Sequence, residues 1–289
     1  MPDFYFLVVN YNSSNLVKRL LASIPKSDRE NYGVVIVNNS AEDKTIFNLA
    51  SNTIKIIEPE ENLGFGRACN LGIRWISQQN KRAIVWLINP DTYFDLDSQD
   101  KVFPIISAFA LFNKHPRISI LGTTVCNSQG EITSAGGTFN PDTADAKTID
   151  RLPTDLGQDY IKIDWVSGCS LLINLAKFTQ LPQFCDRFFL YYEDLDFCLR
   201  YSKQGHLIAV THLIKLVHET SSISDRHLLQ KYRHITQSHL IYIEKYGSKQ
   251  NFMITNMRML ANTLRLIILK PQQGIGKAIG IYEYWKNSL

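Results

Sequence analysis

The chain has 289 residues, enough for one large domain, or a domain with an appendage, around a sizeable core. Hydrophobic residues make up 45% and charged residues 20%, close to the globular average, which excludes a disordered, collagenous or disulfide-knot protein. The net charge of +4 is uneven: residues 201–289 hold 12 Lys+Arg against 4 Asp+Glu, so the basic charge belongs to the C-terminal part.

The opening MPDFYFLVVNYN enters a strand at once, with no basic start and no cleavable apolar helix, so no signal peptide is expected. Residues 4–9, 33–37, 54–57 and 83–88 are short, β-branched or aromatic runs, as buried parallel strands are. Between them, residues 15–24, 43–50 and 67–78 carry apolar side chains at helical spacing. This alternation predicts a doubly wound α/β sheet, which binds ligands at the carboxyl ends of its strands.

After Asp91 the alternation fades. A helix is expected over 100–113, a strand near 118–122, and hairpin-like pieces around Gly130, Gly136 and Gly137. The polar stretch 138–159, with Pro141 and Pro153, reads as a mobile loop. Order returns at 165–173, where a turn feeds a buried strand, and at 188–200, where an aromatic run breaks into carboxylates at a helix start. From residue 225 the pattern is helical: one helix to about 246, one over 251–269, and a short one after Gly274. The expected division is a catalytic domain over 1–224 and a basic helical region over 225–289. Asn256, Arg258, Asn262 and Arg265 interrupt the apolar stretch 253–269, which argues against a spanning helix. Five widely spaced cysteines without a CxxC suggest neither a disulfide framework nor a zinc site, and fit a reducing cytoplasm.

The carboxyl ends of the expected strands are polar: Asn10-Tyr11-Asn12, Asn38-Asn39-Ser40, Asn62-Leu63-Gly64-Phe65-Gly66 and Asn89-Pro90-Asp91. Each alone is explained by helix caps and turns. Four in succession on one sheet edge point to a pocket rich in neutral hydrogen-bonding groups. Gly64-Phe65-Gly66-Arg67-Ala68-Cys69 nearly matches the dinucleotide fingerprint, but Cys69 replaces its third glycine and the segment follows the third strand. A nicotinamide enzyme therefore stays only as an alternative. Those glycines still suit a close approach of backbone to ligand, with Arg67 available for phosphate.

Asp91 is placed either to hold Mg²⁺ or Mn²⁺ together with phosphate and water, or to cap the segment that follows. Glu193, Asp194 and Asp196 crowd three carboxylates against Phe188, Phe189, Tyr191 and Tyr192. Aromatic burial raises a carboxyl pKa and a helix start lowers it; a carboxylate so placed can take a proton from a hydroxyl. An acid-rich helix start is the plainer alternative. His218 follows an apolar segment and, by itself, is a packed or surface histidine as readily as a ligand.

Taken in order, these segments resemble the inverting family-two glycosyltransferases with the GT-A fold, in particular their bacterial rhamnosyltransferase-like branch. The landmarks are Val8-Val9-Asn10-Tyr11-Asn12, Val37-Asn38-Asn39-Ser40, Asn62 to Asn70, Asn89-Pro90-Asp91, Trp165-Val166-Ser167-Gly168, Glu193-Asp194-Leu195-Asp196 and His218. The resemblance implies a Rossmann-like, mostly parallel sheet flanked by helices, with a C-terminal helical extension. It implies a nucleotide-sugar pocket built from Asn10, Tyr11, Asn12, Asn38, Asn39, Asn62, Gly64, Phe65, Arg67, Asn70, Asn89 and Asp91. It implies a divalent metal at Asp91 and His218, Asp194 as catalytic base, and Glu193, Asp196, Trp165 and Gly168 as acceptor or supporting residues.

Two positions depart from the family pattern: Asn38 stands where aspartate is frequent, and Asn89 where the wider fold has the first acid of D-x-D, as this branch usually does. The implied reaction moves rhamnose from dTDP-rhamnose, or galactofuranose or N-acetylglucosamine from a UDP-sugar, to a polysaccharide or lipid-linked oligosaccharide; nucleic acid is not an expected partner. A non-catalytic sugar-nucleotide-binding subunit is the alternative of a different class. Met253, Met257, Leu260, Leu264 and Ile267 follow helical spacing with Arg258 and Arg265 on another face. That pattern suits lying on an anionic membrane at its cytoplasmic side, or packing on the catalytic domain or in a homodimer.

Overall fold

The apolar runs of the N-terminal part become strands because their β-branched and aromatic side chains find cover on both faces. In a computed structural model, which describes residues 2–25, 32–95, 103–152, 157–219 and 227–288, these strands are β1 (Phe4–Asn10), β2 (Tyr32–Asn38), β3 (Ile54–Ile57) and β4 (Ile84–Ile88). They lie parallel in the order β4-β1-β2-β3. Strand alternation sends Phe4, Phe6 and Trp86 to one face, under the helix α1 (Ser14–Ser23). Leu7, Val35 and Leu87 go to the other, under Ile73 and Ile76 of α2 (Phe65–Gln79). The helix expected over 43–50 is instead a 3-10 segment, Lys44–Leu49. Six residues that include β-branched Thr45 and Ile46 are too few to offset α-helix nucleation.

Beyond β4 the chain runs through β5 (Thr92–Tyr93), α3 (Pro104–Lys114), β6 (Ile118–Cys126), β7 (Ile132–Ser134), β8 (Gly137–Asn140), β9 (Asp145–Thr148), β10 (Tyr160–Lys162) and β11 (Ser170–Asn174). The helix expected from residue 100 starts at Pro104, since proline suits a first helical turn; residues 96–102 lie outside the described residues. Next come α4 (Glu193–Lys203) and the long strand β12 (Leu207–His218). The main sheet has the order β10-β12-β6-β11-β4-β1-β2-β3. β11 is antiparallel to both β4 and β6, whereas β12 runs parallel to β6 with a register shift between Thr211 and Lys215. That shift lets β12 continue to His218, whose partner is Thr92 of β5.

The stretch expected as a loop over 138–159 holds the hairpin β8–β9. Composition alone does not favour it, but tertiary anchors do: the Phe139 N–H donates to Asp164 Oδ2 at 2.8 Å, and Gly137 bridges to Trp165. Residues 153–156 lie outside the described residues.

The C-terminal helices are α5 (Leu228–Tyr246), α6 (Lys249–Leu269) and α7 (Pro271–Ser288). The last starts at Pro271, earlier than its glycines suggest. Those glycines are needed for packing: a Cβ at Gly276 or Gly280 would lie 2.3 Å from a backbone oxygen of α5, at Leu229 and Arg233 respectively. Phe188, Leu195 and Leu199 from around α4 share one apolar cluster with Leu240, Ile243 and Tyr284, so the C-terminal helices are joined to the α/β part through buried surface.

Candidate active site

The polar ends of β1 and β2 meet side by side. Asn10 is fully buried and its amide is spent internally: Nδ2 donates to Asn38 Oδ1 at 2.9 Å and to Asp43 Oδ2 at 3.1 Å, while Oδ1 accepts from the Ser13 N–H and hydroxyl. Asn38 reaches Glu58 Oε1 at 3.3 Å. Asn12 takes a left-handed conformation, φ 48°, which asparagine tolerates, and its N–H donates to Ser40 Oγ. Tyr11 is left 40% exposed beside them. Asp43, which sequence reasoning missed, receives the Ser14 N–H and hydroxyl at the start of α1. Burial pushes its carboxyl up, but hydrogen bonds from Ser14, Thr45 and Asn10 outweigh burial and hold it at about 2. No local pattern announces this contact, because Ser14 and Asp43 are brought together only by the pairing of β1 with β2.

The loop before α2 is held from two sides. Asn39 donates to Asn62 Oδ1 at 2.8 Å and to the Gly64 carbonyl at 3.1 Å, and accepts from the Leu63 N–H. Gly64 has φ +76°, and a Cβ there would lie 2.2 Å from the Phe189 carbonyl oxygen, so only glycine fits. That same carbonyl accepts the Phe65 N–H at 2.9 Å. Asn70 is buried and binds the Phe184 backbone at both ends of its amide. Arg67 donates to the Leu63 carbonyl and lines a cleft of about 210 Å³ with Asn70, Arg74, Gln183 and Asp186. Asn39, Asn62 and Asn70 thus shape the loop with their side chains. The cleft holding Arg67 and Asn70 is walled by neither Asp91 nor Asp194.

After β4, the Asn89 N–H donates to the Cys169 carbonyl, turning the chain so that Asp91 faces the end of β12. Asp91 Oδ1 and His218 Nε2 lie 3.1 Å apart, and the Glu219 N–H donates to the Asp91 carbonyl at 3.0 Å. Both expected metal residues therefore meet, although 127 positions separate them. No group of three or more His, Cys, Asp and Glu suited to a metal occurs among the described residues.

The third component is the start of α4. Tyr191 and Tyr192 are consecutive left-handed residues, φ 72° and 67°, a conformation that costs bulky side chains of order 1–3 kcal/mol each. The turn they form delivers Asp194, whose Oδ2 accepts the Gly168 N–H and whose Oδ1 accepts the Leu195 N–H, each at 2.8 Å. Burial raises the Asp194 carboxyl above the usual range, partly countered by these two N–H donors. Glu193 is buried, its Oε2 has no hydrogen-bond partner, and burial followed by the charge of Asp194 pushes its carboxyl far up. Asp196, expected as an acceptor or supporting residue, has its carboxylate engaged within the protein. It is 0% exposed and takes ionic or hydrogen bonds from Arg200, Lys245 and the Tyr246 hydroxyl, so it ties α4 to α5. Trp165 spends its indole N–H on the Thr138 carbonyl in the β8–β9 hairpin.

Sequence reasoning also missed the elements that hold the strained turn. Along α5, His234 stacks on Phe189 with centroids 4.5 Å apart, Ser238 Oγ donates to the Leu190 carbonyl at 2.8 Å, and His239 and Tyr242 stack on Tyr192. The spacing of 234, 238 and 239 marks one helix face, but nothing local connects it to residues 189–192.

One turn links the two acid positions: the Gly168 N–H donates to Asp194, and the carbonyl of the next residue, Cys169, accepts the Asn89 N–H two positions before Asp91. Burial pushes the Cys169 thiol up to about 12. The Asp194 carboxylate and the Asp91–His218 pair are thus linked through the turn before β11. Residues 5–118 match the family model "Glycosyl transferase family 2". That segment is similar to glycosyl transferase family 2. The chain is 24% identical over 223 residues to a low-salt glycan biosynthesis hexosyltransferase of Haloferax volcanii, covering 75% of this chain and 67% of that one. It is 23% identical over 247 residues to an N-acetylglucosaminyl-diphospho-decaprenol L-rhamnosyltransferase of Mycobacterium tuberculosis, covering 76% of this chain and 77% of that one. The fold is GT-A. A crystal structure of GalNAc-T7 with UDP, GalNAc and Mn²⁺ superposes with TM-score 0.56 and 12% identity over 81% of this chain; this chain spans about half, 48%, of that structure.

Proposed function

We propose that this protein is a family-two inverting glycosyltransferase that moves a sugar from a nucleoside diphosphate to a hydroxyl of a glycan or lipid-linked acceptor. The observation that carries this reading is that one turn ties the two acid positions together: the Gly168 N–H holds Asp194, and the next residue, Cys169, accepts the Asn89 N–H two positions before Asp91, whose carboxylate meets His218. In the reaction, the acceptor oxygen gives its proton to the Asp194 carboxylate and forms a bond to the anomeric carbon. The bond from that carbon to the diphosphate breaks on the opposite face, and its electron pair leaves with the nucleotide. One displacement inverts the anomeric centre.

The Asp91 carboxylate and the His218 imidazole fit a divalent cation whose other positions come from diphosphate and water. Such a cation, when bound, supplies charge compensation for the leaving diphosphate. Asn39 and Asn62 act by holding the Gly64 loop, and Tyr11 offers an exposed ring beside the buried Asn10–Asn38 pair.

The proposed donor is dTDP-rhamnose. The Mycobacterium relative's name and the asparagine at position 89 support it; UDP-galactofuranose and UDP-N-acetylglucosamine are the competing donors. Incubating the purified chain with each donor and measuring released nucleoside diphosphate, with Asp194→Asn as control, tests the reading. Nucleotide release from dTDP-rhamnose that Asp194→Asn abolishes supports it. Tight dTDP binding without turnover of any donor overturns catalysis and leaves a sugar-nucleotide-binding subunit.

A further inference from the structure

We propose that the α6–α7 hairpin is the surface by which this protein lies on an anionic phospholipid bilayer, with α6 parallel to the membrane plane. On α6 the residues Met253, Met257, Leu260, Leu264 and Ile267 recur at alternating spacings of four and three, so they form a single stripe along the helix. All are exposed, Leu264 by 66%, and Ile268 beside them by 81%. An adjoining face is used for packing: Met259 and Thr263 are buried. An apolar stripe running along a whole helix and left in water is more than the scattered exposure that soluble surfaces tolerate.

Charge decides the occupant. Residues 249–288 contain six Lys+Arg and one acid, Glu283, and that acid is bound by Arg233 of α5. Arg258 and Arg265 lie on another face of the same helix, and α6 itself has no Asp or Glu. An acid-free cationic helix beside an apolar stripe matches a bilayer interface, where phospholipid headgroups offer negative charge above an apolar layer. A second copy fits less well, because pairing two such stripes would bring only like charges together, although the spacing would suit a coiled-coil seam. α6 is long and apolar enough to cross a membrane by length and composition. Spanning would carry Arg258 and Arg265 into hydrocarbon and strip Met259 and Thr263 from their packed face, whereas lying flat costs neither. On α7, Ile275, Tyr282 and Trp285 are exposed on one side, the residue types that settle at a lipid–water boundary.

The hairpin is also tied to the site. Asn251 at the start of α6 donates to the Thr143 carbonyl at 3.1 Å in the β8–β9 turn, and β8 bridges to Trp165, three residues before the Gly168 amide that holds Asp194. A bilayer under α6 would present a lipid-linked acceptor on the Trp165 side; only this placement rests on the function proposed above.

Sedimentation of the full chain with vesicles of phosphatidylcholine alone, or of phosphatidylcholine with phosphatidylglycerol, tests the proposal without donor or acceptor. Binding is expected to the anionic vesicles and to fall with added salt. Met257→Glu with Leu264→Glu, or Arg258→Glu with Arg265→Glu, should each weaken it roughly tenfold or more, with dTDP-induced thermal stabilisation retained as the sign of an intact fold. Vesicle binding that neither pair of substitutions reduces overturns the proposal. So does a dimer in light scattering that Leu264→Glu converts to a monomer, which would make the stripe a contact between copies. A chain that is inactive on every donor yet binds anionic vesicles through α6 removes the catalytic reading and supports this one.

Discussion

The Gly168 amide donates to Asp194 Oδ2 at 2.8 Å, joining the turn before β11 to the first turn of α4. This N–H and that of Leu195, which donates to the other carboxylate oxygen at 2.8 Å, fix where the carboxylate points. A carboxyl raised by burial yet oriented by two fixed donors suits proton transfer better than an ion pair would, because its charged form is not strongly stabilised.

Asp194→Asn keeps size and shape but cannot take the acceptor proton, so transfer should fall roughly 10²-fold or more while donor affinity stays unchanged. Initial rates and nucleotide titration of the same preparation check this. Because burial raises the Asp194 carboxyl, the parent's rate should climb with pH through a value above the ordinary aspartate range of about 3.9 and level off beyond it. Asp196→Asn is the contrasting variant. With Arg200, Lys245 and Tyr246 deprived of their buried partner, it should lower the melting temperature more than the rate constant.

Glu193 predicts a pH-dependent stability difference. Its folded pKa is raised, so the neutral form's contribution is fully present below the unfolded value of about 4.3 and is lost as pH rises through the folded value. Glu193→Gln should melt close to the parent at low pH and above it at neutral and alkaline pH. Thermal melts across that range decide the sign; a Gln variant that is less stable at high pH would assign the buried carboxylate a partner.

Nucleotide and metal should act together at Asp91. Stabilisation by dTDP or UDP should be larger with Mn²⁺ than with chelator, since one carboxylate and one imidazole leave most of a cation's positions to the diphosphate. Asp91→Ala should remove the metal-dependent part of the shift, and His218→Ala should reduce it. Equal thermal shifts with and without metal in the parent would count against a metal-assisted donor site.

His239 should matter to rate although it lies on α5. Its ring is parallel to Tyr192 within 2°, at a centroid distance of 5.4 Å, and so holds a left-handed residue two positions before Asp194. His239→Ala removes a stack worth about 0.5–1.5 kcal/mol, which should lower kcat roughly threefold to tenfold by that measure while donor KM holds steady. His239→Phe, which restores the ring, should recover most of it; failure of that rescue would place the effect elsewhere.

The local pattern of residues was enough to place β1 to β4, the helices between β1 and β4 apart from the 43–50 turn, and the three C-terminal helices. Periodicity depends only on neighbours along the chain and on which side of an element must be covered. The polar strand ends, Asp91, Asp194 and His218 were legible as separate signals for the same reason. Which of them touch was decided by tertiary structure. The antiparallel insertion of β11 and the shifted register of β12 bring His218 to Asp91 across 127 positions. The β8–β9 hairpin forms in a stretch whose composition reads as loop, because Asp164 and Trp165 supply its missing partners. Tyr191 and Tyr192 hold a conformation their own side chains disfavour because α5 covers them, and Asp196 became an anchor because Lys245 and Tyr246 arrive from the same helix. Strain and buried charge are tolerated only where distant groups compensate them, and that compensation is a property of the packed chain rather than of any segment within it.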